Sequence, residues 1–207
     1  QKGLYKVEKI IQGIKDILTG EGIYLFGFCG VSDIKDICLF EKKEVLKNIS
    51  HAISISYVLS GKILEDIEDA PTPVYAFHYK GVNSLLDIAA LKVSAYIQQS
   101  GFDAIPVPAS HIIDWENHRA LISHKHIAAR SGLGWIGRNN LLINPRHGSA
   151  IRFATILTSM VLPESEPVDI DCGDCFDCIK ACPAGAIKER QADFDHKGCF
   201  ELLKDFS

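Results

Sequence analysis

Residues 171–186 read DCGDCFDCIKACPAGA. Cys172, Cys175, Cys178 and Cys182 stand there in the spacing C-x2-C-x2-C-x3-C, with Pro183 directly after the fourth. This is the spacing with which ferredoxin-type loops hold a 4Fe–4S cluster. Three closely spaced thiolates wrap three corners of a cubane, and the proline turns the chain away after the fourth. In two-cluster ferredoxins that fourth cysteine ligates the other cluster. A zinc knot is the competing reading, but zinc sites usually use two separated C-x2-C pairs. Disulfides are disfavoured further, because no signal peptide or oxidising context accompanies the motif. The chemistry the stretch implies is one-electron transfer.

Upstream, VLPESEPVDIDCG (161–173) shifts to proline and acid. A domain boundary is expected near 165, giving an α+β domain over 1–165 and an iron–sulfur segment over 166–207. The segment is too short to build its own hydrophobic core, so a cluster is its expected staple. Downstream, Cys199 lies in FDHKGCFELL, and a second cluster would need further cysteines that the chain does not supply nearby. One or two clusters are therefore open. In the favoured reading the chain, which begins at Gln1 and stops soon after Cys199, is a fragment of a two-cluster protein, and Cys182 and Cys199 belong to the second cluster. In the other, a single cluster takes Cys172, Cys175, Cys178 and one of Cys182 or Cys199.

The 207 residues are 47% apolar, enough for a substantial core. Lys and Arg number 22 against 26 Asp and Glu, a net charge of −4 that gives no basic surplus for nucleic acid. No apolar run is long enough to span a bilayer, and QKGLYKVEKIIQGIKD lacks a signal-peptide core, so no membrane and a cytoplasmic setting are expected. Of seven cysteines, Cys29 and Cys38 stand alone in apolar surroundings and read as buried, inert thiols.

Val7, Ile11, Ile14 and Leu18 predict an amphipathic helix over 4–19, ended by Gly20 and Gly22. IYLFGFC (23–29), AISISYVL (52–59), DAIPVPAS (103–110) and AIRFATILT (150–158) read as strands or strand and loop. A short helix is expected over 42–49, an irregular loop over 71–81, and a helical stripe from Val82 to Ile97. Residues 116–130 read as a helix closed by Ser131–Gly132, and WIGRNNLLI reads as a strand joined to 150–158 by the turn NPRHG. Helices and strands mix without a βαβ rhythm, so α+β is as well supported as α/β.

Gly132, Gly134 and Gly137 form a compact backbone that can press against a large planar or phosphorylated ligand. Their G-x-G-x-x-G spacing follows a helix and leads into strands, the wrong context for a dinucleotide fingerprint. A glycine-rich helix end and hairpin is the plain structural alternative. His111, His118, His124 and His126 crowd one region without the H-E-x-x-H placement of a catalytic zinc. Asp114 and Glu116 are nearby acids, and Asp114 reads equally as a helix cap. Arg130, Arg138, Arg146 and Arg152 could together hold an anion.

The stretch HIAARSGLGWIGRNNLLINPRHGSAIRFATILTSMVLP followed by DCGDCFDCIKACPAGAI resembles the epoxyqueuosine reductase family, as do GIYLFGFCGV, ISHAISISYVL and HYKGVNSLLD upstream, in the same order. The resemblance implies a nitroreductase-like, cobalamin-binding sandwich with a small ferredoxin-like 4Fe–4S segment at the C-terminus, related to reductive dehalogenases. It implies an oxidoreductase fed by an external electron donor, in which the cluster passes electrons to a base-off cobalamin that reduces a small molecule or modified nucleoside. The D-x-H-x-x-G motif of base-on cobalamin proteins is absent. Gly132, Gly134, Trp135, Gly137, Tyr79 and Arg138 are the expected cofactor-binding residues. The family's proton-donating aspartate falls on His118, with Glu116 and Asp114 as the nearest acids. The missing second cysteine run, the missing helical repeats and the acidic balance weigh against tRNA as a partner. The alternative is a ferredoxin-like electron-transfer protein that docks a partner enzyme.

Overall fold

The computed structural model describes residues 2–33 and 38–206. In chain order these form α1 (Lys2–Gly20), β1 (Leu25–Gly30), β2 (His51–Val58), α2 (Gly61–Glu65), α3 (Pro73–Gln99), β3 (Ala104–Val107), α4 (His124–Arg130), β4 (Trp135–Ile136), β5 (Leu142–Ile143), β6 (Ile151–Thr158), α5 (Asp177–Ala181) and α6 (His196–Lys204). The mixed helix and strand content agrees with the α+β reading.

The long strands form one antiparallel sheet in the order β1–β2–β6–β3. Its side chains alternate between two faces, as a pleated strand requires. Ile53 and Ile55 of β2, with Ala154 and Ile156 of β6, meet Ile14 and Leu18 of α1 and Leu86, Val93 and Ile97 of α3 in the main core. Ala52 and Leu157 point the other way, toward Ile122 and Ile127 at α4. The sheet thus has helices on both faces, which buries β2 and β6 almost completely. α1 and α3 pack so closely that a Cβ on Gly13 would lie 2.2 Å from the Tyr96 hydroxyl.

Four expectations are corrected. Residues 71–81 are not an irregular loop: Pro73 occupies the first turn of α3, and the Thr72 hydroxyl caps it by accepting from Tyr75 N–H at 3.2 Å. The helix expected from 116 begins only at His124, because Asp114 closes a turn on Asn117 and pairs with Arg119 in an isolated bridge. The short helix of 42–49 is a single 3-10 turn, Lys43–Leu46. WIGRNNLLI is a small hairpin, β4–β5, with Trp135 opposite Ile143, and it pairs with itself rather than with β6. Gly132, with φ +75°, leads from α4 into it.

After β6 the chain runs without regular structure to residue 176. Ser165 fastens it to β1, donating its N–H to Phe28 O at 2.9 Å and accepting from Phe28 N–H at 3.1 Å. Among the described residues no helix is long and apolar enough to cross a membrane.

Candidate functional site

The cysteine segment is folded by local turns and held by one arginine. Cys175 N–H donates to Cys172 O at 3.0 Å, so the first two cysteines sit on one turn. Cys178 lies on α5 and Cys182 caps its C-terminus. From the β4–β5 hairpin, Arg138 donates to Gly173 O at 2.9 Å, Cys175 O at 3.0 Å and Glu189 O at 2.8 Å, and its guanidinium stacks 4.5 Å from the Phe176 ring. Three of its donors are thereby spent on the tail's backbone.

Burial pushes the Cys182 thiol up, but the backbone N–H groups of Ile187, Ala186, Ala184 and Gly185 outweigh it and hold the thiol below its ordinary pKa. Cys199 is raised by burial, and further by the neighbouring Cys182 and by Asp195. The Cys182 charge is thus one of the influences on Cys199. No three His, Cys, Asp or Glu side chains among the described residues close on a single ion. A cubane spreads its thiolates over separate corners, so the donor set of clustered thiols and inward N–H groups fits an iron–sulfur cluster. Cys29 and Cys38 are buried, and burial raises both thiols, in keeping with inert cysteines.

Beside this segment lies a cavity of about 710 Å³, walled by the 117–123 loop, α4, the Asn140–Leu141 turn, β6 and the tail residues Gln191 and His196. Asn140, with φ +59°, is its hub. Lys125 Nζ donates to Asn140 O at 2.8 Å and also to its Oδ1; Gln191 Nε2 donates to the same Oδ1 at 2.7 Å; and Asn140 Nδ2 meets His196 Nε2 at 3.2 Å. Burial lowers Lys125 to about 8, and burial followed by the Lys125 charge lowers His196. His124 bonds Thr155 Oγ1 and Pro108 O, each at 2.8 Å, and burial keeps it toward the neutral form.

Of the three expected proton donors only His118 lines the cavity. Its backbone is left-handed at φ +51° and its ring lies 3.8 Å from that of Phe200 on α6. The Asp114 carboxylate accepts from the Asn117 side chain at 2.9 Å and backbone at 3.0 Å, which lowers its pKa, and neither it nor Glu116 lines the cavity. The six expected cofactor-binding residues lie outside the cavity wall. A Cβ on Gly132 would meet Glu166 O at 2.5 Å, and one on Gly134 would meet Ile143 O at 2.0 Å, so both glycines serve close backbone packing. Gly137 packs against the Ile143 side chain in the same way, and the buried Trp135 Nε1 has no partner among the described residues. Tyr79 reaches the cavity indirectly, its hydroxyl accepting from Arg152 at 2.8 Å. The four arginines do not all gather: Arg130, paired with Asp33, and Arg152 line the cavity, while Arg138 holds the tail and Arg146 does not line it. Lys125, Asn140, Gln191 and His196 carry no sequence motif; they meet across separations of 15, 51 and 56 residues.

No protein-family model matches the chain. Curated epoxyqueuosine reductases do. That of Bacillus anthracis is 33% identical over 82 residues, 40% of this chain and 21% of its own length. That of Escherichia coli (strain K12) is 39% identical over 84 residues, 41% of this chain and 22% of its own. Among solved structures, epoxyqueuosine reductase from Streptococcus thermophilus superposes with a TM-score of 0.64 at 19% identity, over 90% of this chain and 55% of that one. An epoxyqueuosine reductase with an epoxyqueuosine-modified tRNA-Tyr stem loop gives 0.61 at 17%, over 87% and 53%. The reductive dehalogenase NpRdhA, in complex with 3-bromo-4-hydroxybenzoic acid, gives 0.71 at 17%, over 86% and 25%. The chain thus matches about a fifth of its curated relatives' length and spans about half of the solved epoxyqueuosine reductases. The chain is thus similar to the epoxyqueuosine reductases in sequence over about two fifths of its length and in fold over most of it, and to the reductive dehalogenases in fold.

Proposed function

We propose that this chain is the corrinoid- and cluster-bearing part of a reductase of the epoxyqueuosine reductase type, working in the reducing cytoplasm with an external electron donor. Residues 1–165 form the nitroreductase-like, cobalamin-binding domain and 166–207 the ferredoxin-like segment. The observation that carries this reading is the shared wall: Gln191 and His196 of the cysteine tail close the side of the large cavity. The chemistry these groups supply when bound is a one-electron relay at the cluster and reduction of substrate at cobalt.

Cys172, Cys175 and Cys178 hold one cluster, and Cys182 with Cys199 contributes to a second. The amide side chains of Asn117, Asn140 and Gln191 on the cavity wall suit the carboxamide fringe of a corrin. Arg138 and Phe176 keep the tail against the domain, and Phe200 holds the His118 ring at the cavity. His118 supplies the proton to the leaving group, as general acids do at roughly 10²–10⁴-fold benefit. The substrate is a small molecule or a modified nucleoside. The tRNA stem loop bound by a solved relative supports the nucleoside, and counts against setting tRNA aside on net charge alone.

The test is anaerobic reconstitution with iron and sulfide, followed by metal analysis and visible spectra with and without added cobalamin. Iron and sulfide together with a cobalamin spectrum that shifts on mixing support the reductase. Iron and sulfide with an unchanged corrinoid spectrum leave the ferredoxin-like electron-transfer protein, which the exposed Ile170, Leu203 and Phe206 on the tail would suit as a docking face.

A further inference from the structure

The cavity is cation-rich in a chain of net charge −4. Arg119, Lys125, Arg130 and Arg152 line it, and no Asp or Glu does. Arg130 is already paired, both of its terminal nitrogens reaching Asp33 at 2.7 and 2.9 Å. Among the described residues, the groups that hold Lys125 and Arg152 are neutral. Lys125 bonds the Asn140 carbonyl and side-chain oxygens. Arg152 donates Nε to Asn83 Oδ1 at 3.2 Å and Nη2 to the Tyr79 hydroxyl, and lies 4.2 Å from the Tyr79 ring. Among the described residues no carboxylate lies within ion-pair distance of either. Asp87, which acts electrostatically on His124, is engaged by Ala109 N–H at 2.7 Å and does not line the cavity.

Lys125 and Arg152 are each half-buried, and charged groups withdrawn even partly from water are ordinarily paired. Lys125 relieves its missing partner by a lowered pKa, while a guanidinium has no such escape. Tyr79 and Asn83 fix the Arg152 fork without neutralising it, and Asn140 does the same for Lys125. Such an arrangement is built for an anion that arrives with a ligand, where charge-assisted bonds in a shielded hollow are strongest.

We propose that the substrate of this site carries a carboxylate or phosphate group, and that Lys125 and Arg152 bind it. The inference rests on the reading of the cavity as the reaction chamber.

The test is an NMR titration of the folded, cluster-loaded chain with benzoate, orthophosphate and the neutral isostere benzamide. The expected result is that at least one anion binds about tenfold or more tighter than benzamide, with Lys125→Gln and Arg152→Gln each weakening it by about tenfold and Arg152→Lys retaining part of it. Circular dichroism checks that each variant is folded. Benzoate alone identifies a carboxylate, orthophosphate alone a phosphate. Equal binding of benzamide, indifference to both Gln variants, or no anion binding overturns the proposal. Repeating the titration with cobalamin present separates substrate from cofactor. Anion binding that survives belongs to substrate; competitive displacement assigns the site to the phosphodiester of the corrinoid itself and also overturns the proposal. The cobalamin spectrum reads the underlying function independently. A shifted spectrum without anion binding sinks only the present inference, and anion binding without a corrinoid response sinks only the corrinoid reductase.

Discussion

At the residue scale two cations do different work. Arg138 ties the cysteine loop to the domain through three carbonyls and one aromatic ring. In Arg138→Ala the cysteine loop loses these contacts, while Gln191 and His196 still bond Asn140 and the main core, which Arg138 does not enter, is expected to stay intact. Trypsin should then cut at the exposed Lys180, Lys188 and Arg190 about tenfold faster, equivalent to roughly 1.4 kcal/mol of lost docking. Mass spectrometry of timed digests reads this, and unchanged nicking would show that the tail is held elsewhere. Lys125 makes a pH prediction. Its folded pKa of about 8 lies below the ordinary 10.5, so between these values the unfolded chain binds more protons than the folded one. Stability contributed at this position therefore rises with pH across that window, and the penalty of the buried ammonium is fully present below about 8. Lys125→Met should be more resistant to urea than wild type at pH 7, with the difference shrinking toward pH 10. A constant difference across that range would remove the lysine as its origin.

At the element scale, caps and close approaches decide what forms. Thr72→Ala removes the hydroxyl that accepts from Tyr75 N–H and should cost about 1 kcal/mol in urea unfolding. Gly134→Ala should cost at least about 2 kcal/mol, because φ is +152° there and the new Cβ would fall on Ile143 O. A neutral result for the alanine would mean that the β4–β5 hairpin does not sit as described. The same physics explains which elements are legible in the sequence. AISISYVL (52–59) reads as a strand because β-branched residues alternate, and the sheet strand there spans His51–Val58. The first turns of α3 are hidden because prolines and aromatics resemble a loop until Thr72 is recognised as a cap and Pro73 as the first helical residue. The overlong helix before α4 arises from the opposite error: 116–123 holds no proline or glycine to stop a helix, while Asp114 and Asn117 hold the chain in a turn.

At the scale of the whole molecule, what is local in sequence is legible and what is assembled is not. Thiols spaced for one turn announce a cluster because their ligand geometry is a property of a dozen consecutive residues. The cavity is built by Lys125, Asn140, Gln191 and His196, brought together only when α4, the glycine-rich hairpin and the tail converge. The proposed pairing of Cys182 with Cys199 is of the second kind. Against burial, four backbone N–H groups lower the Cys182 pKa, and its charge acts on Cys199. On the proposed reading Cys182 and Cys199 serve one cluster, and Cys172, Cys175 and Cys178 the other. Iron retention should therefore divide the five residues unequally. After anaerobic reconstitution of this chain, Cys172→Ser, Cys175→Ser and Cys178→Ser should each lose most of the bound iron and sulfide, because three thiolates on one turn and helix are the minimum hold on a cubane. Cys182→Ser and Cys199→Ser should each retain most of it. If Cys182→Ser instead empties the chain while Cys199→Ser does not, a single cluster takes the four cysteines of the C-x2-C-x2-C-x3-C run, and the two-cluster assignment falls.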